Sequence, residues 1–136
     1  MEPSKATARS ATLAIPAKPD YVVLARLALS AVCRMTPLAP EEVADLKLAI
    51  TEATTYIMGG ERRSAARDGE EPDSRIDFAF ELGDDELLMR ISGVEQPTVS
   101  AEERELGMAL IKATVDGYEY SGGTMELRKT LDYSAE

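Results

Sequence analysis

The chain has 136 residues, of which 44% are hydrophobic and 29% are charged, a balance typical of one folded domain with a sizeable core. Its 25 acidic and 15 basic residues give a formal net charge of −10, which disfavours direct binding to nucleic acid or to anionic membranes. There is no histidine and a single cysteine, Cys33, so an internal disulfide, a zinc site of the usual kind and a histidine-based triad are excluded.

The N-terminal segment MEPSKATARSATLAIP lacks the continuous apolar core of a signal peptide. The longest apolar stretch, Tyr21 to Leu29, is interrupted by Arg26 and is too short to span a bilayer. We therefore expect a cytoplasmic protein without a membrane segment. We expect residues 1–9 to be a flexible N-terminus, residues 10–132 a single domain and residues 133–136 a tail.

The first half of the chain predicts a strand followed by two helices. ATLAIP alternates weakly and ends at Pro16, which indicates a strand. Asp20 can cap a helix that runs to about Met35, and Pro40 suits the first turn of a second helix that the glycine pair 59–60 ends. The predicted apolar stripes are Val23, Leu27, Ser30 and Ala31 in the first helix and Leu46, Ala49, Ile50, Ala53 and Ile57 in the second.

The second half predicts a polar surface loop over residues 59–74, then a hairpin, a helix and a second hairpin. RIDFAFEL carries apolar residues at period two, and ELLMRISG returns after the turn GDD. Ser100 to Glu103 form a capping box that opens the third helix, which Asp116-Gly117 ends. YEY and TMELRKTL are the last two strands, joined by the turn SGG. The apolar side of the third helix consists of Met108, Ile111 and Val115.

This order of elements predicts the fold class. Four of the five strands pair as hairpins, so we expect a mixed but mostly antiparallel sheet with the helices on one face. The result is a two-layer α+β sandwich, an architecture that does not by itself indicate a function.

Two separated parts of the chain, its first half and its C-terminal part, resemble one protein family. IPAKPDYVVLARLALSAVCRM and EEVADLKLAITEATT resemble the first half of the RsbW-type anti-sigma factors, which are bacterial serine kinases of the GHKL (Bergerat-fold) ATPase superfamily. LGMALIKATVDGYEYSGGTMELRKTL is similar to the family's second glycine box, the helix after it and the last hairpin. The resemblance covers roughly residues 13–131. It implies the histidine-kinase-like ATPase fold and a role in controlling a sigma factor.

The resemblance assigns roles to two residues of the second helix. Glu52 matches the glutamate that acts as general base in the family, and Tyr56 stands where the family has the asparagine that holds Mg²⁺. The two are one turn apart and share a face that is not the apolar stripe. A phenol is a poor ligand for a hard cation, and its ring would occupy phosphate space. We therefore expect no metal at Tyr56 and regard Glu52 as a vestigial catalytic residue.

Two further motifs of the family are also altered. The Asp-x-Gly that binds the adenine amino group reads Ile91-Ser92-Gly93 here, so the glycine remains and the carboxylate is lost. The Gly-x-Gly that cradles phosphates reads Glu105-Leu106-Gly107, which places an acid where backbone amides should attract an anion. The stretch between the two motifs is shorter than the family's nucleotide lid. The resemblance also places Thr124 in the ATP site.

The substitutions imply weak or absent ATP binding. A lost hydrogen bond to a charged group is worth about 1.5–3 kcal/mol, and a lost metal ligand together with a repulsive carboxylate adds a similar amount. A micromolar ATP site holds about 8 kcal/mol, so losing roughly 4–6 kcal/mol leaves binding at or beyond the millimolar range. We expect no cofactor and no useful kinase rate.

The favoured function is therefore a non-enzymatic anti-sigma factor. The family's partner surface lies on the first helix, where Arg26 matches the arginine that contacts the sigma factor and the competing anti-sigma antagonist. The resemblance also implies a homodimer. Two alternatives stay open: an active serine/threonine kinase that tolerates these substitutions, and a homodimeric scaffold without a sigma-factor client.

Overall fold

The computed structural model describes residues 9–58, 75–93 and 100–132. The predicted loop over residues 59–74, its glycine pair 59–60 and both chain ends at 1–8 and 133–136 lie outside the described residues. The strands are β1 (Arg9–Pro16), β2 (Arg75–Leu82), β3 (Glu86–Ser92), β4 (Gly117–Ser121) and β5 (Thr124–Thr130), and the helices are α1 (Val22–Cys33), α2 (Pro40–Ile57) and α3 (Ala101–Thr114).

The five strands form one sheet in the order β1-β2-β3-β5-β4, and all four pairings are antiparallel. The predicted α+β fold with a mostly antiparallel sheet is confirmed. The described strands contain no parallel pairing, although a mixed sheet was expected. The helix α3 does bring β4 into the same direction as β3, but β5 lies between them and separates the two parallel strands.

The sheet buries one face against the helices, as the period-two pattern predicted. On β2 the alternate residues Ile76, Phe78, Phe80 and Leu82 are buried, whereas Asp77 between them is exposed. The predicted stripe of α2 is confirmed, because all five of its members are fully buried in the same core. The two layers therefore share one continuous hydrophobic core, which supplies most of the driving force for folding.

The buried face of α1 was predicted wrongly. Val23 is 53% exposed and Leu27 is 60% exposed, and Ala31 is exposed as well. The helix instead buries the stripe Ala25, Leu29, Val32 and Cys33. Apolar residues occur on every side of this helix, so their spacing alone does not identify the side that packs on the core. The consequence is a helix with a second, exposed apolar face.

The start of α1 also differs from the prediction. Asp20 lies in a short 3₁₀ turn, Pro19–Tyr21, and does not cap the helix, whose N-cap residue is Tyr21. The strand before it is longer than ATLAIP, because β1 begins at Arg9. Arg9 Nη1 donates to Met35 Sδ at 3.3 Å, so the beginning of β1 lies beside the residues that follow α1.

Caps and turns follow the local chemistry of the sequence. Ser100 Oγ accepts a hydrogen bond from the Glu103 backbone N–H at 3.1 Å, and Glu103 Oε1 accepts one from the Ser100 N–H at 3.3 Å, so the predicted capping box is confirmed. The turn between β4 and β5 places Gly122 at φ 61° and Gly123 at φ 81°, a left-handed pair that favours glycine in a tight hairpin.

None of the helices in the described ranges combines the length and the apolar content needed to cross a lipid bilayer.

Candidate functional site

The ATP-site positions that the family resemblance singled out lie on α2, on β3 and directly after it, on α3 and on β5. Glu52 and Tyr56 lie on α2 beside its buried stripe, and both side chains are partly buried. Gly107 of α3 lies next to Glu52, because a methyl group added at Gly107 would be 3.5 Å from Glu52 Oε1. The Glu52 carboxylate therefore lies against α3 at Gly107. Leu106, the neighbour of Gly107, points elsewhere and is 65% exposed.

Tyr56 packs against a residue that the sequence did not single out. Its ring meets the ring of Tyr120 on β4 edge to face, with the centroids 5.2 Å apart and the planes at 86°. Aromatic pairs in this geometry are worth about 0.5–1.5 kcal/mol beyond the area that they bury. The side chain at the family's metal-binding position is thus engaged in packing. Only the alternation of YEY could have indicated that Tyr120 faces the helices.

The hydroxyl group of Tyr120 is buried and has no hydrogen-bond partner within the part of the chain that the structure describes. Burial raises the pKa of this phenol, and the neighbouring Tyr56 raises it further. Tyr120 is therefore a neutral phenol at physiological pH and cannot act as a base.

Ile91, at the position of the family's adenine-binding carboxylate, is a core residue. It is fully buried on β3, with Phe78 of β2 and Met125 of β5 as its neighbours in the sheet. An apolar side chain surrounded by apolar strands offers no hydrogen bond to a purine amino group. The packing explains the isoleucine without reference to any ligand.

Gly93 is also explained by packing. A methyl group at this position would overlap Ile57 Cγ2, so a side chain here would push the end of β3 away from the last turn of α2. The Gly93 N–H donates to the Gly123 carbonyl at 3.0 Å, which ties the end of β3 to the β4–β5 turn. The glycine therefore has a structural reason that is independent of its place in a nucleotide motif.

Thr124 is not brought together with Glu52 and Tyr56. Its Oγ1 lies 3.0 Å from Ser92 Oγ, and the two hydroxyls share a hydrogen bond. Successive side chains of a strand point to opposite faces, so this pair lies on the other face of the sheet from the buried Ile91 and Met125.

The open face of the sheet has a depression of about 360 Å³ that is lined by residues of β1, β2 and β3. Its cationic side chain, Arg90, donates to Glu126 Oε2 at 2.8 Å and to Glu81 Oε2 at 3.1 Å. Its carboxylate, Asp77, pairs with Arg75 at 3.1 Å. Because these charges are already paired, the depression offers no free charge to an ionic ligand.

The donors near α2 do not fit a magnesium nucleotide. At the position of the family's metal-binding asparagine the chain has Tyr56, which is packed against Tyr120. At the position of the adenine-binding carboxylate it has Ile91, which lies in the core. The described residues contain no group of three or more cysteine, aspartate or glutamate side chains that could hold a metal ion. Glu52 keeps its carboxylate, but it lies against α3 at Gly107.

A second candidate surface lies on α1. Arg26 is exposed, and the large apolar residues Val23, Leu24 and Leu27 are exposed around it. These four residues are called the α1 surface below. Arg26 is the only charged residue of α1, so this surface combines apolar area with one guanidinium group.

The chain is similar to known proteins over most of its length. Residues 15–131 match the family model described as the histidine kinase-like ATPase domain. The serine-protein kinase RsbW of Bacillus pumilus is 32% identical over 117 residues, which are 86% of this chain and 70% of that protein. RsbW of Listeria innocua is 38% identical over 81 residues, which are 60% of this chain and 48% of that protein.

The match to the Listeria protein thus spans about half of its length. RsbW of Oceanobacillus iheyensis is 30% identical over 118 residues, with 75% of this chain and 72% of that protein covered. The family match and the observed α+β fold are consistent with each other. The chain belongs to the histidine kinase-like ATPase domain family, among relatives of the RsbW type.

Proposed function

We propose that this protein is an anti-sigma regulatory factor that binds a sigma factor through the α1 surface and acts without ATP. The observation that carries the proposal is the exposed apolar area around Arg26, with Leu27 60% exposed at its centre. A contiguous group of exposed apolar side chains on a soluble domain commonly marks a protein-binding site. We place its action in the cytoplasm, where transcription is controlled.

Charge supports a protein partner on this surface. The chain as a whole carries a formal charge of −10, yet the only charge on α1 is the cation of Arg26. A guanidinium group forms forked hydrogen bonds with carboxylates, so an acidic group on the partner suits this position. The acidic remainder of the protein suits the basic, DNA-facing surfaces of a sigma factor. An anti-sigma antagonist that competes for Arg26 would release the sigma factor.

The edge of the sheet supports a homodimer. Among the described strands β1 lies at the edge of the sheet; it has eight residues, of which Arg9 alone is charged, and it contacts α1. Long edge strands with few charges readily pair with another chain. We propose that two copies associate through β1 and the neighbouring flank of α1. Light scattering of the purified chain at several concentrations measures the mass, and a monomer at all of them would contradict the dimer.

The test of the function is recovery of the partner. The tagged chain is purified from its native host, and the proteins that remain bound are identified by mass spectrometry. We expect a sigma factor, and we expect a Leu27→Glu variant to lose it while keeping its melting temperature, because Leu27 is exposed. A Leu48→Glu variant is the matched control, since Leu48 is an exposed leucine on α2. If Leu48→Glu loses the sigma factor and Leu27→Glu retains it, the interface is not the α1 surface.

The relatives are named serine-protein kinases, and Glu52 is retained, so an active kinase is the second candidate. ATP with Mg²⁺ distinguishes the two. Even a ligand present at its dissociation constant adds only about 0.4 kcal/mol, which is about 1–2 °C in Tm. We expect no larger shift at millimolar ATP with Mg²⁺. Saturable micromolar binding by calorimetry would contradict action without ATP, and phosphate transfer to a partner serine would establish the kinase.

A further inference from the structure

The Tyr56–Tyr120 pair joins two elements that are otherwise weakly connected. Tyr56 lies in the last turn of α2, and Tyr120 lies near the end of β4. The backbones of α2 and β4 hardly approach each other, so side chains must connect the two elements. The edge-to-face contact at 5.2 Å is such a bridge.

β4 depends on bridging contacts because of its place in the sheet. It has five residues, lies at the edge and pairs with β5 alone among the described strands. A short edge strand has one ladder of hydrogen bonds and opens more easily than the strands inside a sheet. Its helix-facing side chains are Tyr118 and Tyr120, and both are partly buried. β4 thus contacts the helical layer through these two tyrosine rings and through its approach to α3.

The ring of Tyr120, and not its hydroxyl, supplies this contact. The hydroxyl is buried without a partner among the described residues, and a buried hydroxyl in that state destabilises the folded protein. The aromatic ring contributes apolar area and an edge-to-face contact with Tyr56.

We propose that the Tyr56–Tyr120 pair is an internal aromatic clamp that fixes β4 and the β4–β5 turn to the end of α2, so that this end of the domain stays ordered with no ligand bound. The clamp uses the helix position at which relatives are expected to hold a metal nucleotide. It extends the ATP-independent action proposed above by naming the contact that makes a ligand unnecessary.

The test measures hydrogen exchange of the purified chain without nucleotide or partner. Replacing Tyr56→Asn removes the ring, and Tyr56→Phe is the matched control that keeps it. We expect amides of β4 to exchange about tenfold faster in Tyr56→Asn, with β2 amides unchanged, and within about twofold of wild type in Tyr56→Phe. Unchanged β4 exchange in Tyr56→Asn, or equal acceleration in Tyr56→Phe, would overturn the clamp.

Further variants keep the proposal testable if Tyr56→Asn does not fold. Tyr56→Leu keeps apolar volume without a ring and should also accelerate β4 exchange. Tyr120→Phe keeps the ring without the unpaired hydroxyl and should raise Tm by a few degrees with β4 exchange no faster. Faster β4 exchange in Tyr120→Phe would show that the hydroxyl and not the ring fixes β4, and would overturn the clamp.

Failure of the clamp can be distinguished from failure of the proposed function. ATP binding by the wild-type chain would contradict ATP-independent action, whereas the exchange of β4 reports on the clamp in the absence of ATP. If β4 exchange is unchanged in Tyr56→Asn and the wild-type chain binds no ATP, the clamp is wrong and the anti-sigma proposal is not affected.

Discussion

Replacing Ile91→Asp, which returns the family's carboxylate to its position, is expected to unfold the protein at neutral pH and not to create a nucleotide site. Ile91 is fully buried between Phe78 and Met125. The loss of a buried isoleucine and the burial of a polar group together cost several kcal/mol. Domains of this size are stable by only about 5–15 kcal/mol, so a loss of this size removes much or all of the stability, and ionisation of the buried carboxyl at neutral pH adds to the loss. Circular dichroism and thermal melts measure it.

The pH dependence of this variant identifies the cause. Desolvation raises the pKa of a buried carboxyl above the value of about 3.9 that it has in the unfolded chain. As pH rises above about 4, the unfolded chain loses this proton while the folded state still binds it. The free energy of unfolding is therefore highest below about pH 4 and falls by about 1.4 kcal/mol per pH unit until the pKa of the folded state is reached.

An Ile91→Asn variant is the control, because it buries a neutral polar group of the same shape. It should be destabilised at every pH without the additional loss on the alkaline side. Stability of Ile91→Asp that does not fall relative to Ile91→Asn between about pH 4 and pH 7 would mean that position 91 has access to water or to a cation.

Replacing Arg26→Ala is expected to weaken sigma-factor binding by about 1 kcal/mol or more, which is roughly fivefold or more, as for an arginine that anchors an interface. Arg26 is exposed on α1, so its loss should change the free energy of unfolding by less than about 0.5 kcal/mol. Glu52→Ala should leave the affinity nearly unchanged, because that carboxylate lies against α3 at Gly107 and is not part of the α1 surface. Calorimetry with the identified partner and melting curves of both variants measure these effects.

The opposite result would relocate the interface. If Glu52→Ala abolishes binding and Arg26→Ala does not alter it, the partner binds at α2 and α3. The region around Tyr56 would then be a site with a new use, and the exposed residues of α1 would serve the homodimer.

The sequence predicted those elements whose local residue pattern is compatible with only one structure. β2 alternates apolar and polar residues, so its buried face follows from a period of two. Gly122 and Gly123 predicted the tight turn between β4 and β5, and Ser100 with Glu103 predicted the start of α3. In each case the physical cause lies within a few neighbouring residues.

The remaining features depend on contacts between distant parts of the chain. In α1 the apolar residues surround the helix, so only its packing against the core decides that Leu29 is buried and Leu27 is exposed. The contact of Tyr56 with Tyr120 requires α2 and β4 to be placed in three dimensions first. The family resemblance located Glu52, Ile91 and Gly107 along the chain, but it did not predict which side chains would surround them.

The position of β5 has a consequence for synthesis on the ribosome. β5 pairs with both β3 and β4, yet it follows both of them in the chain. While a nascent chain still lacks residues 124–130, one backbone edge of β3 and both edges of β4 have no partner among the described strands. Unpaired strand edges of this kind associate with other chains, so we expect the nascent chain to be prone to aggregation at that stage. Premature stop codons before residue 124 should accordingly yield products that proteases remove, and not shortened regulators.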